Sequence, residues 1–467
     1  MRKSLLAGLA VAALVATPSL AVADEPVPNG ETWVSYGFLP VPGKALTSFD
    51  ISWVDTGLNV YLLADRSNAA IDTFNISTTS KIFQIIPAAP NNFAGNVPTC
   101  TIANACNGPN GIITLRNAGG QVQLWAGDGP TMNPVCVAGS SCSTIKVFNA
   151  AAALIAVIPT GGFFRADELC FAPPNPAIGR PGLVLMANDA DAPPFVTLIP
   201  TDGPNAFQVI QTIQFPVATN GIEQCQWDGT IGTRGRFLLN VPEVNGDGSD
   251  TFAGGVFTID PVLGVPGTAT ITPDPTDLGL TGNVDIAQCA GPQGMAIGPR
   301  PGDDVLLGCN APVKPPSASV SNSVTINKNV GGGMATITGV LQGAGGADQV
   351  WFDPVANHYS IAEGTTTDGF AQQLGIVDAG PPPVIDQQIQ IGFPGGTTRR
   401  SHSVAAWSGT PLGLPPTSVV FLPVSATGGS TTVPPGPGFQ STVCGAMAAQ
   451  GCIAVFGTTP IPNPDPD

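Results

Sequence analysis

Ala347-Asp348-Gln349-Val350-Trp351-Phe352-Asp353-Pro354 sets the pattern of this chain: a polar residue opens it, a short apolar run follows, and a turn signal closes it. The same pattern begins again at Asp50, Asn110, Asp167, Glu223, Gln293 and His402, so with Asp348 it occurs seven times. The steps between successive copies are 60, 57, 56, 70, 55 and 54 residues. A period this long, carried by strand-like runs, marks a propeller blade rather than a helical solenoid.

Each copy continues into further apolar runs. Second runs include Val60 to Asp65, Val122 to Asp128 and Leu183 to Asp189; third runs include Ile71 to Ile76, Ile145 to Phe148 and Val196 to Ile199. Fourth runs are shorter and end near Pro or Gly, as in Ile82 to Pro87, Leu154 to Pro159 and Ile389 to Pro394. Four strands repeated seven times predict an all-β, seven-bladed β-propeller with four-stranded blades. The seventh copy lacks a fourth strand, because only a proline-rich tail follows Phe456. The segment Thr32-Trp33-Val34-Ser35-Tyr36-Gly37-Phe38-Leu39-Pro40 has no other partner. Pairing it with the last blade closes the ring and removes two exposed sheet edges.

The chain begins like an export signal: Arg2 and Lys3, an apolar stretch from Leu5 to Ala16, then Ala21-Val22-Ala23 as a cleavage site. Residues 1–23 are therefore assigned to a signal peptide, 24–459 to the propeller and 460–467 to a disordered Pro-rich tail. No later apolar run reaches the ~18 residues of a membrane span. Losing Arg2 and Lys3 takes the net charge from −16 to −18, which disfavours nucleic acid and anionic lipid and suits cations or neutral ligands. With 58 Gly and 48 Pro, the chain has the turn residues that many short strands need. A secreted or periplasmic location follows from the signal.

Ten cysteines in an exported chain suggest five disulfides. Spacing pairs Cys100 with Cys106, Cys136 with Cys142 and Cys444 with Cys452. Cys289 and Cys309 fall at one rim of the fifth blade. Cys170 lies three residues after Asp167 and Cys225 two after Glu223, so alternation along a strand turns them to opposite faces of their blades. A bridge from blade three to blade four follows.

The opening residues of inner strands converge at a channel mouth. The ring is Asp50, Asn110, Asp167, Glu223, Gln293, Asp348 and His402, with Glu168 beside Asp167. Corners after the second strands are expected to add Asp65, Asp128, Asp189, Asp191, Glu243, Asp247 and Glu363 on the same face. Arg66, Arg165, Arg399 and Arg400 lie nearby in sequence. The candidate ligand-binding residues are Asp50, Asn110, Asp167, Glu168, Gln293 and Asp348. An oxygen-rich set with one imidazole also suits a divalent cation, Ca²⁺ or Mg²⁺, held by Asn110, Asp167, Glu223 and Asp348. Such a cation would polarise a carbonyl and lower the pKa of water, with Glu223 and His402 as the catalytic pair. An acid at the head of an inner strand equally serves to accept backbone hydrogen bonds and tie blade to blade. His358, the other histidine, reads as a surface or packing residue. Asn245-Gly246-Asp247-Gly248-Ser249-Asp250 lacks the length and closing acid of a calcium-hand loop and reads as a polar turn.

Hydrolase elbows, phosphate loops, paired-thiol and His-Glu-x-x-His motifs are all absent from the sequence. Ser401-His402-Ser403-Val404-Ala405, Val419-Val420-Phe421-Leu422-Pro423 and Gly346-Ala347-Asp348-Gln349-Val350-Trp351 resemble the secreted bacterial YVTN-type β-propeller repeat proteins. Asn188-Asp189-Ala190-Asp191 and Gly221-Ile222-Glu223-Gln224 fit the same likeness, which implies the fold and little about activity. More distantly, Pro109-Asn110-Gly111 and Pro292-Gln293-Gly294 are similar to elements of gluconolactonase-type propellers, with Gln293 where that family has a metal-binding acid. Two functions follow. One is a binding protein or scaffold with an acidic mouth for a small molecule, cation or extracellular partner. The other is a metal-dependent lactonase-type hydrolase.

Overall fold

The computed structural model describes residues 32–77, 81–98, 100, 105–130, 142–231, 234–249, 252, 254–263, 269–270, 273–274, 289–299, 304–311, 322–327, 336–363, 373–380, 382–391, 401–409, 417–426 and 443–459. The expected signal peptide and tail lie outside them, as do Arg399 and Arg400.

The repeated apolar runs become inner strands because alternation puts one set of side chains against each neighbouring blade. These strands are Ser52–Asp55, Ile112–Arg116, Leu169–Ala172, Cys225–Asp228, Ala290–Ile297, Val350–Asp353 and Ala405–Gly409. Each leads an antiparallel sheet of four, giving seven such sheets among the described residues. A small extra hairpin, Val262–Leu263 with Ala269–Thr270, sits beside blade four. Consecutive inner strands touch all the way round, including the first against the seventh.

Blade seven is a composite. Ala405–Gly409, Thr417–Val424 and Cys452–Thr459 come from the end of the chain, and Thr32–Pro40 supplies the outer strand. Thr32 is opposite Thr459 and Pro40 opposite Cys452, with a register shift between Ser35 and Gly37. The expected closure is therefore present.

The core is divided among the gaps between blades, as a ring of sheets requires. Tyr61, Phe74, Trp407 and Phe421 fill the gap between blades seven and one. Leu185, Phe215, Phe237 and Phe257 fill that between three and four. Seven buried clusters correspond to seven gaps, so the closing interface is packed like the others. Gln349 locks this junction: its Nε2 donates to the Ser52 carbonyl at 2.7 Å and its Oε1 accepts from Val404 N at 3.2 Å.

Disulfides join Cys100 to Cys106, Cys289 to Cys309 and Cys444 to Cys452. Cys170 and Cys225 bridge blades three and four, with Cα atoms 5.7 Å apart. Cys142 is also disulfide-bonded; its expected partner Cys136 lies outside the described residues.

Strand limits match the sequence reading to within a few residues, with one larger displacement. The outer strand of blade six runs Val384–Gln390 rather than Ile389 to Pro394. Its middle carries buried Asp386 and Gln387, whose polar character hides the strand in an apolar-pattern search.

Candidate functional site

The ring residues sit two or three positions ahead of their inner strands, in the segments that enter the channel. In blade five a register shift between Pro292 and Gly294 puts Gln293 at the equivalent place, although the strand starts earlier. Asp50, Asp167, Glu168, Glu223, Gln293, Asp348 and His402 line one cavity of about 860 Å³, together with Asp189 and Asp191.

Asn110 does not face this cavity. Its side chain is fully buried; Oδ1 accepts from Arg66 Nε at 2.9 Å, and Nδ2 donates to the carbonyls of Asn107 and Ala166, each at 2.9 Å. Asn110 therefore orients Arg66. The following Gly111 is required for a different reason: its N–H donates to the Asp167 carbonyl at 2.9 Å, and a Cβ there would lie 2.1 Å from that oxygen.

Arg66 carries the arrangement into the mouth. Its Nη2 is 2.6 Å from Asp50 Oδ2 and 4.0 Å from Asp167 Oδ1. Arg165 Nη2 is 2.7 Å from both Asp167 Oδ2 and Asp189 Oδ2. The result is a fixed alternating string, Asp50–Arg66–Asp167–Arg165–Asp189. His402 stacks on Phe49, with ring centroids 4.8 Å apart, and holds Nε2 3.6 Å from Asp50 Oδ1. Burial alone would raise the Asp50 carboxyl, but Arg66, the adjacent His402 and the Arg165 charge together hold it below the usual carboxylate range.

Across the mouth, Glu223 and Glu168 feel the Arg165 charge without an ion pair to it among the described residues. Gln293 Nε2 donates to Glu223 Oε1 at 3.3 Å, while Gln293 Oε1 is buried without a hydrogen-bond partner among the described residues. Burial, then the charges of Asp189 and Asp348, push Glu223 well up. Glu168 is pushed up by burial and by Asp50, Glu223 and Asp348. Its side chain makes no hydrogen bond or ion pair among the described residues.

Several expected mouth residues serve elsewhere. Asp128 is fully buried and ion-paired with Lys146. Glu243 accepts from Thr219 Oγ1 at 2.8 Å, Glu363 from Gln388 Nε2 at 3.1 Å, and Asp65 from Asn68 N at 3.1 Å. Asp247 accepts from Ser249 N at 3.2 Å within the polar turn. None of these five lines the cavity. Each corner acid is held by a partner in its own blade or in the segment leading into it, which costs less than presenting a partnerless buried charge. His358 is buried, 2.9 Å from Asp386 Oδ2 and edge-on to Trp33, so it is a packing residue. Sequence reading did not single out Phe49 or the apolar wall of Pro193, Pro194 and Pro216; the position of Phe49 directly before Asp50 was the available signal.

The proposed cation ligands do not meet as a set. Asn110 is turned to Arg66, Asp167 is neutralised by Arg165, and no group of three or more His, Cys, Asp or Glu side chains among the described residues is placed to hold a metal ion.

No family model and no curated protein matches the chain. Solved structures that align with it include the Pan2 WD40 domain of Neurospora crassa, at 9% identity and TM-score 0.48, over 92% of this chain and 96% of that one. Sqt1 of Saccharomyces cerevisiae aligns at 8% identity and TM-score 0.46, covering 92% and 100%. Hydrazine synthase of Kuenenia stuttgartiensis aligns at 11% identity and TM-score 0.45, covering 72% and 84%. Strand pairing and packing make this chain a seven-bladed β-propeller.

Proposed function

We propose that this chain is an exported propeller that binds a ligand at its acid-lined mouth without transforming it. One observation carries the reading: side chains from blades one, three, four, five, six and seven line a single cavity of about 860 Å³, within the size range of small-molecule sites. Ion pairing through Arg66 and Arg165 makes one side rigid, as a preorganised binding surface needs. The disulfides and the signal-like start support export.

A lactonase reading draws on Glu223 and His402 sharing the mouth, with Glu223 held protonated more readily than an ordinary glutamate. Among the described residues no three His, Cys, Asp or Glu side chains are grouped to hold its cation. A calorimetric ligand panel on the mature protein, run beside a lactone turnover panel, separates the two. Binding that is lost in Asp348→Asn, with no turnover, supports the binding reading. Turnover that disappears in Glu223→Gln or His402→Ala overturns it.

A further inference from the structure

We infer that Asp65 and Asp72, two carboxyls enclosed in blade one, share a single proton, and that losing it loosens the corner that holds Arg66 and Asp50 at the mouth. The fold thus carries an alkaline-sensitive latch, and this inference stands apart from what the mouth binds.

Strand register brings the pair together. In the second and third strands of blade one, Val60–Asp65 and Ala70–Asn75, Asp72 stands opposite Leu63 and Asp65 opposite Ala70. Leu63 and Asp65 share a face by alternation, so the two acids are diagonal neighbours on it. Both are 0% exposed. Donors reach them unequally. Asp65 accepts from Asn68 N at 3.1 Å and from Asn68 Nδ2 at 2.5 Å. Asp72 Oδ1 accepts from Gln84 Nε2 at 2.9 Å, while its Oδ2 is buried with no hydrogen-bond partner among the described residues.

The elements around Asp72 bring it acids and neutral groups. Asp65 and Tyr61 share its face from the second strand, and the Tyr61 hydroxyl lies 2.8 Å from Ser52 Oγ. Gln84 comes from the outer strand and also donates to the Pro42 carbonyl at 3.1 Å. Lys44, the basic residue of the adjoining entry segment, is exposed. Two enclosed carboxylates side by side strongly resist double ionisation, and one proton between them removes a charge and gives Oδ2 a partner. Burial and then the Asp65 charge push Asp72 well above the ordinary carboxylate range, which puts the proton on the Asp72 side of the pair.

Asp65 also opens a corner tied to the mouth. Asn68, held by the Asp65 carboxyl, accepts from Lys44 N at 2.6 Å and donates to the Lys44 carbonyl at 3.2 Å. Ser67 Oγ accepts from Thr47 N at 2.9 Å and from Ser48 N at 2.8 Å. These contacts fix the segment that delivers Phe49 and Asp50, and Arg66 in the same corner reaches Asp50 at 2.6 Å. Once the proton leaves, the two charges repel, and Asp65 is relieved by drawing away from Asn68. Stability from the shared proton is complete below the ordinary carboxylate range and is lost as pH climbs through the raised value.

The test is hydrogen exchange by mass spectrometry, with urea unfolding on the same samples, for the mature protein and Asp72→Asn between pH 5 and pH 9. An asparagine offers Asp65 an N–H and Gln84 a carbonyl at every pH. With rates corrected for intrinsic pH dependence, wild-type residues 44–50 and 65–69 should exchange about ten-fold faster at pH 9 than at pH 6, and the variant less than about two-fold. The urea midpoint of Asp72→Asn relative to wild type should rise with pH; acids elsewhere titrate in both proteins and cancel in the difference. Should Asp72→Asn fail to fold, Asp65→Asn, which removes the neighbouring charge, must flatten the same response. Equal pH responses in wild type and variant overturn the inference. Wild-type protection that EDTA removes and CaCl₂ restores also overturns it, by assigning a cation to the pair. A midpoint difference that rises with pH while residues 44–50 exchange unchanged overturns the latch.

Discussion

Replacing Trp33 with alanine should damage the closure of the ring more than any other single change in the first strand. The indole is 1% exposed and packs in the gap between blades six and seven with Leu374, Ile376, Val420 and Phe456. Its N–H has no hydrogen-bond partner among the described residues, so the loss is one of packing and leaves no orphaned polar group. Truncating a buried Trp to Ala costs about 3–5 kcal/mol. Over the 428 positions from Thr32 to Thr459 (459 − 32 + 1), an unfolding entropy of ~2.1 cal/mol/K per residue converts this to a Tm drop of about 3–6 °C. The Trp33 backbone is clamped as well, its N–H donating to Gln387 Oε1 at 2.9 Å and its carbonyl accepting from Gln387 Nε2 at 3.1 Å. Gln387→Ala should therefore add a smaller loss of about 1–3 kcal/mol by stranding both backbone groups. Urea unfolding followed by far-UV circular dichroism reads both effects, with Trp33→Phe as the mild control. A Trp33→Ala loss below about 1 kcal/mol would fall short of the burial term and refute the packing of this strand as a closing element.

Three other outcomes follow from the same structure. Glu168→Gln should raise the urea midpoint at pH 7.5 and leave it nearly unchanged near pH 4: a raised folded-state pKa means the folded protein binds the extra proton, so wild-type stability falls as pH climbs from the ordinary carboxylate range through the raised value. Removing both Cys170 and Cys225 by serine substitution releases a cross-link spanning 55 residues, and the loop-entropy relation puts the loss at about 4 kcal/mol, measurable as a lower denaturation midpoint. Lys146→Ala leaves the fully buried Asp128 carboxyl without its cation; a loss of about 3–5 kcal/mol is expected, larger than for the double change Lys146→Met with Asp128→Leu.

The fold was legible because propeller order is local. Each blade repeats an apolar run after a polar entry residue, and the runs at Val122–Asp128 and Leu154–Pro159 become strands with those limits. The closing role of Thr32–Pro40 followed from counting strands. The outer strand of blade six was displaced because Asp386 and Gln387 are buried by partners distant in sequence, His358 and Trp33. The site was legible at the level of its ring, where Asp50, Asp167, Glu168, Glu223, Gln293, Asp348 and His402 meet. The sequence could not say how each member is neutralised. Asn110 is spent on Arg66 and Asp128 on Lys146, while the Glu168 carboxyl makes no hydrogen bond or ion pair among the described residues. Those outcomes depend on contacts between blades, and spacing along the chain carries no information about them.

The most direct measurement is a crystal structure of the mature protein at pH 7.5. The account predicts seven blades, with Thr32–Pro40 on the outside of the last, and Asp50, Asp167, Glu223, Asp348 and His402 lining one cavity. A different number of blades, or these five side chains scattered away from a common mouth, would contradict it.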